Sequence, residues 1–437
     1  MSEANINILT LNCWGLKYVA KNRVERVQAI ASAISQSAHD IVALQELWVY
    51  ADFEYVRSWV TKRLPYAKFF YSGALGAGLA LFSRFPILTA AIHPYSLNGH
   101  PLDVAGGDWF VGKAAASIVI RHPTLGEVEI FNTHLFAKGG EVGPEHLRAH
   151  RLVNAWEFSK LVRVSASAGR YVIAAGDFNS IPKTLPMTII RDYAGLSDAW
   201  SESHETGRGS PRDLRPEDAI TLFGVTADSP LNSYSSGKPL DTTARQHFGK
   251  RLDYIFYRQP TGGGAFSSAD KPLLKCKESR VVFTDNVPGH SFSFSDHFGL
   301  EATIAITLPD SHGTHPSSQD SVSLSEETFS SMTRALTGCY RISAKRSRLE
   351  LLIFATCIVA LVALCIGSVW LPRSWINPIY LLLTVFISWA GTTTLYAGFI
   401  FGNWERRALT NVIEELEFIG QRTVQGAGRI ADIEASV

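Results

Sequence analysis

The chain has almost no surplus of charge: 41 lysines and arginines are balanced by 40 aspartates and glutamates, for a formal net charge of +1. Proteins that bind nucleic acid by neutralising its phosphates need a clear basic excess, so the balance offers no global electrostatic case for that class. Cysteine is also scarce. The five present form neither a pairing pattern nor a metal-ligand spacing, and Cys357 and Cys365 sit inside a long apolar run. A disulfide scaffold is therefore excluded, and a reducing compartment is expected. The opening residues, MSEANINILTLN, have no basic stretch leading into an apolar one, so no secretory leader is expected. No internal repeat is visible, which argues against a solenoid or propeller.

Short runs of apolar or alternating residues are what the chain does have. They recur at Ile6–Asn12, Ile41–Glu46, Gly78–Ser83, Ala116–Arg121, Val128–His134, Tyr171–Asp177, Leu252–Tyr257 and Leu300–Ile306. Their length and β-branched content predict strands. Between them, Val24, Val27, Ile30, Ala31 and Ile34 recur at helical spacing, and His146 to about Val164 reads as a longer helix carrying Trp156. Strands interspersed with helices over residues 1–307 predict a single α+β domain built as a sandwich. Residues 201–218 and 226–250 read as surface loops, and 308–333, rich in Ser, Thr, Asp, His and Pro, as a flexible linker.

Beyond the linker the composition changes. Leu351–Leu371 is uncharged and apolar over about twenty residues, enough to cross the hydrocarbon core of a bilayer as a helix. The turn PRSWINP follows, then a second apolar stretch from Ile379 to Phe401, and Trp370, Trp375, Trp389 and Trp404 stand at or near the ends. Lys345, Arg346 and Arg348 precede the first span and Arg406 and Arg407 follow the second. The positive-inside rule then places both termini and the 1–307 domain in the cytosol. The expected divisions are a basic juxtamembrane segment at 334–350, a transmembrane hairpin at 351–404 and an amphipathic cytosolic tail at 405–437. The tail's stripe of Leu409, Val412, Ile413 and Leu416 suits either the membrane surface or a seam between two copies. Gly398 and Gly402 make a GxxxG spacing that allows close helix contact, so a homo-oligomer through these helices is a second expectation.

Polar residues of a particular kind stand at the ends of the strand-like runs. They are Asn12 in LTLNCWG, Glu46 in VALQELW, His134 in FNTHL, Asp177 and Asn179 in IAAGDFN, Asp253 in RLDYIF, and Asp296 with His297 in SFSFSDHFG. Phosphodiester hydrolysis needs a cation for the phosphate, a placed water, a base, and donors facing the developing charge. Mg²⁺ takes hard oxygen ligands and commonly one or two carboxylates. Glu46 suits a metal ligand, with Asn12 and Asp296 serving the metal or its water shell. His297 is the preferred base, since imidazole accepts a proton near neutral pH, and Asp253 would orient it. Asp177 and Asn179 would align the water or stabilise the pentavalent state, and His134 would donate to a phosphate oxygen. Taken singly, Asn12 also suits an Asx turn and Glu46 a helix cap; the case rests on the set. Gly107–Ala114, GDWFVGKA, starts like a Walker A loop, but Ala114 replaces the required Ser/Thr and Trp109 and Phe110 are bulky, so no nucleotide site is expected.

These motifs, in this order, resemble the endonuclease/exonuclease/phosphatase superfamily over Ile6 to about Ile306. Within it, LTLNCWGLKYVAKNR, ALQELW, GDWFVGK, GDFNSIP, RLDYIF and the C-terminal hairpin resemble the neutral sphingomyelinases and the fungal inositol phosphosphingolipid phospholipases C. The resemblance implies a DNase I-like four-layer α/β sandwich with a C-terminal two-helix transmembrane hairpin. It also implies Mg²⁺-dependent release of ceramide from a membrane phosphosphingolipid, without nucleic acid as a partner. Asp108 and Lys113 are implied in activity and in the response to anionic phospholipids such as phosphatidylserine. The superfamily leaves the base open between His297 and Asp177, and the headgroup open between inositol phosphate and phosphocholine. The expected membrane is the endoplasmic reticulum or the mitochondrial outer membrane. A superfamily nuclease and an inert lipid-binding scaffold are the alternative functions.

Overall fold

Alternation along the first strand builds two cores at once. Ile6 and Ile8 enter one buried apolar cluster while Leu9 and Leu11 enter another, as side chains on opposite faces of a strand must. The computed structural model describes residues 4–104, 106–139, 145–204, 215–261, 271–307 and 324–434. They fall into two compact units, one containing residues up to Tyr95, Phe110–Glu141 and Asn154–Leu324, the other Ser96–Trp109, Val142–Val153 and the chain from Ser325.

In the first unit the strands are β1 (Ala4–Asn12), β2 (Ile41–Gln45), β3 (Tyr66–Phe70), β4 (Leu79–Ser83), β5 (Ile87–Pro94) and β6 (Ala114–His122). They continue as β7 (Gly126–His134), β8 (Tyr171–Asp177), β9 (Ser197–Asp198), β10 (Asp253–Arg258), β11 (Leu273–Val282) and β12 (Gly299–Thr307). They form two six-stranded sheets, ordered β11-β12-β1-β2-β4-β3 and β5-β6-β7-β8-β10-β9. The pairs β1–β2 and β7–β8 are parallel and the others antiparallel. Between the sheets lie Ile6, Ile8, Ile41, Leu79, Leu81, Ile118, Ile130, Ile173 and Ile255, all fully buried. Helices α1 (Arg23–Gln36) and α2 (Tyr50–Val60) cover the outer face of the first sheet through Val27, Ile30, Ile34, Phe53 and Val56. On the second sheet, Phe158 of α3 (Glu145–Ser167) packs edge-on against Phe131 and Phe178, with ring centres 5.7 Å apart in each case. Short helices α4 (Leu185–Thr188), α5 (Ala199–Ser203), α6 (Pro216–Phe223) and α7 (Thr242–His247) lie in the connections. The result is the expected α+β sandwich of four layers.

All eight expected strands are present, with ends shifted by a few residues at most. The four not foreseen, β3, β5, β9 and β11, are the two edges of each sheet. Segment 226–250 differs from the surface loop expected of it. Asn232, Tyr234 and Ala244 are buried, and Asn232 donates its amide to Ser295 O at 2.9 Å. Of the other expected loop, 205–214 lie outside the described residues.

In the second unit, α8 (Glu326–Gly367), α9 (Asn377–Leu395) and α10 (Gly402–Glu434) follow one another, with a π-helical turn at Tyr396–Phe401. Residues 308–323 of the expected linker lie outside the described residues. Its last part is helix, because Ser325 caps α8 by accepting from Thr328 N at 3.2 Å and Glu326 and Glu327 fill the first turn. Two stretches here are long and apolar enough to cross a membrane, within Glu326–Trp370 and Ser374–Gly420. Most of their large apolar side chains, among them Leu352, Val359, Val362, Leu382, Phe386 and Trp389, are exposed. Gly398 and Gly402 turn inward on α8: a Cβ at Gly398 would lie 2.9 Å from Ser347 O, and one at Gly402 2.8 Å from Ser347 Oγ. The GxxxG spacing therefore serves contact within the hairpin. Leu409, Val412 and Leu416 are buried in this unit, as are Met332, Ala335 and Leu336 of α8, so these three residues of the tail's stripe are covered by the chain itself, while Ile413 is half-buried. A buried polar knot completes the unit. Glu405 accepts from His150 Nε2 at 2.9 Å, from Ser343 Oγ and from Arg346, while Gly99 N donates to His150 Nδ1 at 2.9 Å.

Candidate active site

One end of the paired sheets gathers the strand-end residues, because register places them side by side. Asn12 ends β1 opposite Gln45, His134 ends β7 opposite Asp177 of β8, and Asp177 in turn faces Asp253 at the start of β10. Glu46 follows β2 directly, and Asp296 and His297 precede β12.

Asn12 is the hub. Its amide nitrogen donates to Glu46 Oε1 and to Asp177 Oδ2, each at 3.0 Å, while its amide oxygen accepts from Trp14 N at 2.9 Å. The amide oxygen is thus turned to the backbone, because a backbone N–H can only donate. Glu46 is held at φ 55, a left-handed conformation costly for a glutamate. The surrounding backbone enforces it: Gly15 N donates to Glu46 O at 2.9 Å, an approach so close that a Cβ at Gly15 would lie 2.5 Å from that oxygen.

His297 Nδ1 lies 2.8 Å from Asp253 Oδ2, and Nε2 lies 4.0 Å from Asp177 Oδ2. Burial works against charging this imidazole, but Asp253, Asp177 and Asp296 outweigh it and hold its pKa well above the ordinary range. Asp177, Asp253 and His297 offer one atom each within reach of a shared ion, and the His297–Asp253 bond engages Nδ1 of that imidazole. Asp177 is pushed up to about 6, first by burial and then by Asp253, with His297 opposing. Asn179 N caps Asp177 Oδ1 at 2.9 Å, and Asn179 Nδ2 donates to Leu135 O at 3.0 Å.

His134 and Lys113 form a pair that sequence reasoning did not foresee. Lys113 Nζ is buried, 2.9 Å from both His134 Nε2 and Leu135 O. An ammonium can only donate, so His134 Nε2 accepts and carries no proton. Burial, then Lys113 and His297, hold the His134 pKa well below its usual value. Its approach to Asp177 at 3.4 Å is therefore that of a neutral ring to a carboxylate. Nε2 is engaged by this pairing, the ring proton is left on the buried Nδ1, which has no hydrogen-bond partner among the described residues, and Lys113 carries the positive charge beside the ring. Asp108 is half-buried and belongs to the Ser96–Trp109 segment of the second unit.

Further residues with no sequence signal of their own support the set. Arg26 of α1 is fully buried and donates to the carbonyls of Cys13 at 2.7 Å, Trp14 at 2.7 Å and Phe294 at 3.2 Å, tying together the segments that carry Asn12 and Asp296. Ser295 Oγ donates to Asn12 O at 2.6 Å and joins the same two segments. Helical periodicity marks the apolar face of α1 but cannot say which of its arginines turns inward.

The chemistry of the donor set fits a divalent hard cation. Burial, followed by the charge of Asp296, raises the Glu46 carboxyl, and burial does the same to Asp296. Carboxylates forced together out of water in this way are stabilised by a small dication. Asp253 Oδ1, a further oxygen of the group, is buried without a hydrogen-bond partner.

Comparison with known proteins follows the same lines. The model of the Endonuclease/Exonuclease/phosphatase family matches residues 9–297. An inositol phosphosphingolipids phospholipase C of Schizosaccharomyces pombe is 34% identical over 425 residues, covering 94% of this chain and 93% of that protein. The Saccharomyces cerevisiae protein of the same name is 29% identical over 446 residues, covering 94% and 89%. Human sphingomyelin phosphodiesterase 2 is 31% identical over 301 residues, covering 69% of this chain and 64% of its own length.

Proposed function

The chain belongs to the endonuclease/exonuclease/phosphatase family and, within it, to the inositol phosphosphingolipid phospholipases C and neutral sphingomyelinases, and from that premise we propose that it is a membrane-anchored, Mg²⁺-dependent phospholipase C acting on phosphosphingolipids. One observation carries the reading. Asn12, Glu46, His134, Asp177, Asp253 and His297 come from separate strand ends and form one chain of contacts no longer than 4.0 Å.

Glu46 and Asp296 are the residues that would hold the cation, with Asn12 fixing Glu46 beside Asp177. When bound, Mg²⁺ supplies charge to neutralise the phosphate and to stabilise the oxygens as they gain charge. His297 acts as the base. Its Nδ1–H is donated to Asp253 and its Nε2 is directed at the side of Asp177. The surrounding carboxylates hold a second proton on the ring, and a cation neutralising Glu46 and Asp296 would loosen that hold, so that Nε2 could take a proton from a water placed between it and Asp177. The water oxygen bonds phosphorus, the bond from phosphorus to the ceramide oxygen breaks, and that oxygen departs with the bonding pair and takes back, through solvent, the proton that Nε2 received. Lys113 places a fixed positive charge where phosphate oxygens arrive. The C-terminal helices hold the site at the surface that contains the substrate, and Lys345, Arg346, Arg348, Arg406 and Arg407 keep both ends on the cytosolic side and attract anionic lipids such as phosphatidylserine.

The test gives the purified full-length chain inositol phosphoceramide and sphingomyelin in mixed micelles, with Mg²⁺ or with EDTA, and measures ceramide. Release that needs Mg²⁺ is expected from at least one lipid. Absence of ceramide from both, together with cutting of an abasic DNA duplex, would replace this reading with that of a nuclease.

A further inference from the structure

At the rim of the site an indole ring is already attended by the protein's own cations. Trp14 is half-buried, two residues beyond Asn12, and held at φ 44 by its N–H bond to Asn12 Oδ1 and by Arg26, which donates to its carbonyl. Its ring packs edge-on against Tyr234 with centres 4.8 Å apart, and the Arg26 guanidinium stands 4.9 Å from its centre. The exposed Lys238 ammonium stands 5.7 Å from the same ring.

The position of Lys238 is built. Its N–H bonds Ser235 O at 3.1 Å, and Ser235 N in turn bonds Asn232 O at 3.0 Å. Asn232 is buried and donates to Ser295 O at 2.9 Å, and Ser233 and Ser293 exchange bonds of 3.0 and 2.8 Å. The loop carrying Lys238 is thereby fastened to the loop carrying Asp296 and His297.

An aromatic face beside a carboxylate is ordinarily a good seat for a quaternary ammonium, which offers charge and no hydrogen-bond donor. Here Lys238 fills the cation position over Trp14 and repels a second cation. The same ammonium supplies N–H donors for hydroxyl oxygens. We propose that Lys238 and Trp14 form the headgroup subsite, and that Lys238 selects a neutral polyol headgroup of the inositol class against a quaternary ammonium of the choline class. The inference rests on the phospholipase reading above and names the substrate class for that site.

The test compares wild type, Lys238→Glu, Lys238→Ala and Lys238→Arg, as full-length protein in mixed micelles with Mg²⁺. It measures kcat/KM for inositol phosphoceramide and for sphingomyelin, and the binding of inositol phosphate and of phosphocholine by calorimetry. The ratio of the two kcat/KM values is expected to fall about tenfold or more in Lys238→Glu, less in Lys238→Ala, and to stay within about threefold of wild type in Lys238→Arg. The binding preference should follow the same order. Ratios unchanged in Glu and Ala variants, or activity on both lipids falling in parallel while both headgroups bind as in wild type, would overturn the assignment. A wild type that releases no ceramide yet binds inositol phosphate through Lys238 would overturn the catalytic reading and leave the subsite standing.

Discussion

Asn12 has one amide with which to hold two carboxylates, and that economy shows how the site works at the level of single residues. A glutamate at positive φ and an aspartate pushed up to about 6 are both conformations or charges that a protein without a task for them would discard. Asp177 allows a direct test. Its folded value lies above the ordinary 3.8, so the native state keeps a proton that the unfolded chain has lost, and stability falls as pH rises from about 4 to about 6. Above that window the penalty is fully in force. In EDTA, Asp177→Asn should therefore gain about 2 kcal/mol relative to wild type between pH 4.5 and pH 7.5 in denaturant unfolding, and with Mg²⁺ present it should lose ceramide release. An equal difference at the two pH values would contradict the placement of that charge. His297→Ala should lower kcat by about a thousandfold or more. Asp253→Asn should do less, about a hundredfold, and should move the base limb of the pH–rate profile to lower pH, because Asp253 is the largest charge raising His297. A limb that stays in place would show that His297 does not set it.

At the scale of elements, which strands were legible follows from where they lie. Central strands are buried on both faces, so their composition is nearly all apolar, as in β8 with every residue buried. Edge strands carry exposed side chains: β5 (ILTAAIHP) is exposed or half-exposed throughout, and β11 (LLKCKESRVV) mixes charges into its run. No apolar pattern marks them, since an edge strand needs burial on less of its surface. The hairpin shows the reverse. Its glycine spacing was visible, but whether it faced a second molecule or the same chain depended on where α8 lies. Gly398→Leu should destabilise the hairpin by about 2 kcal/mol or more, because the new side chain would have to occupy the space of Ser347 and Glu350. A melting temperature in detergent equal to that of wild type would show that this contact does not form.

For the molecule as a whole, the proposed function requires a water-soluble chemistry to be delivered to a lipid. Exposed apolar surface on α8 and α9 is extensive and has no partner in a dissolved monomer. An N-glycosylation acceptor inserted in the turn between Arg373 and Asn377 should be modified in microsomes, and one placed at the C-terminus should not. Modification at the C-terminus would reverse the proposed topology. Match length bears on the same question. A relative that aligns over 94% of the chain necessarily runs into these helices, whereas the human enzyme aligns over 69%.

Residue type and order alone determined the strand-end set, the central strands, the apolar spans and the family, because each is written in local composition or in short motifs. Tertiary structure decided which atom of each side chain is available. Asn12 presents its nitrogen, His134 is an acceptor under Lys113, Arg26 turns inward, and most of the tail's apolar stripe is already covered. These are matters of distance and direction between segments far apart in the chain, and hydrogen-bond polarity, burial and mutual charge act only once those segments have met.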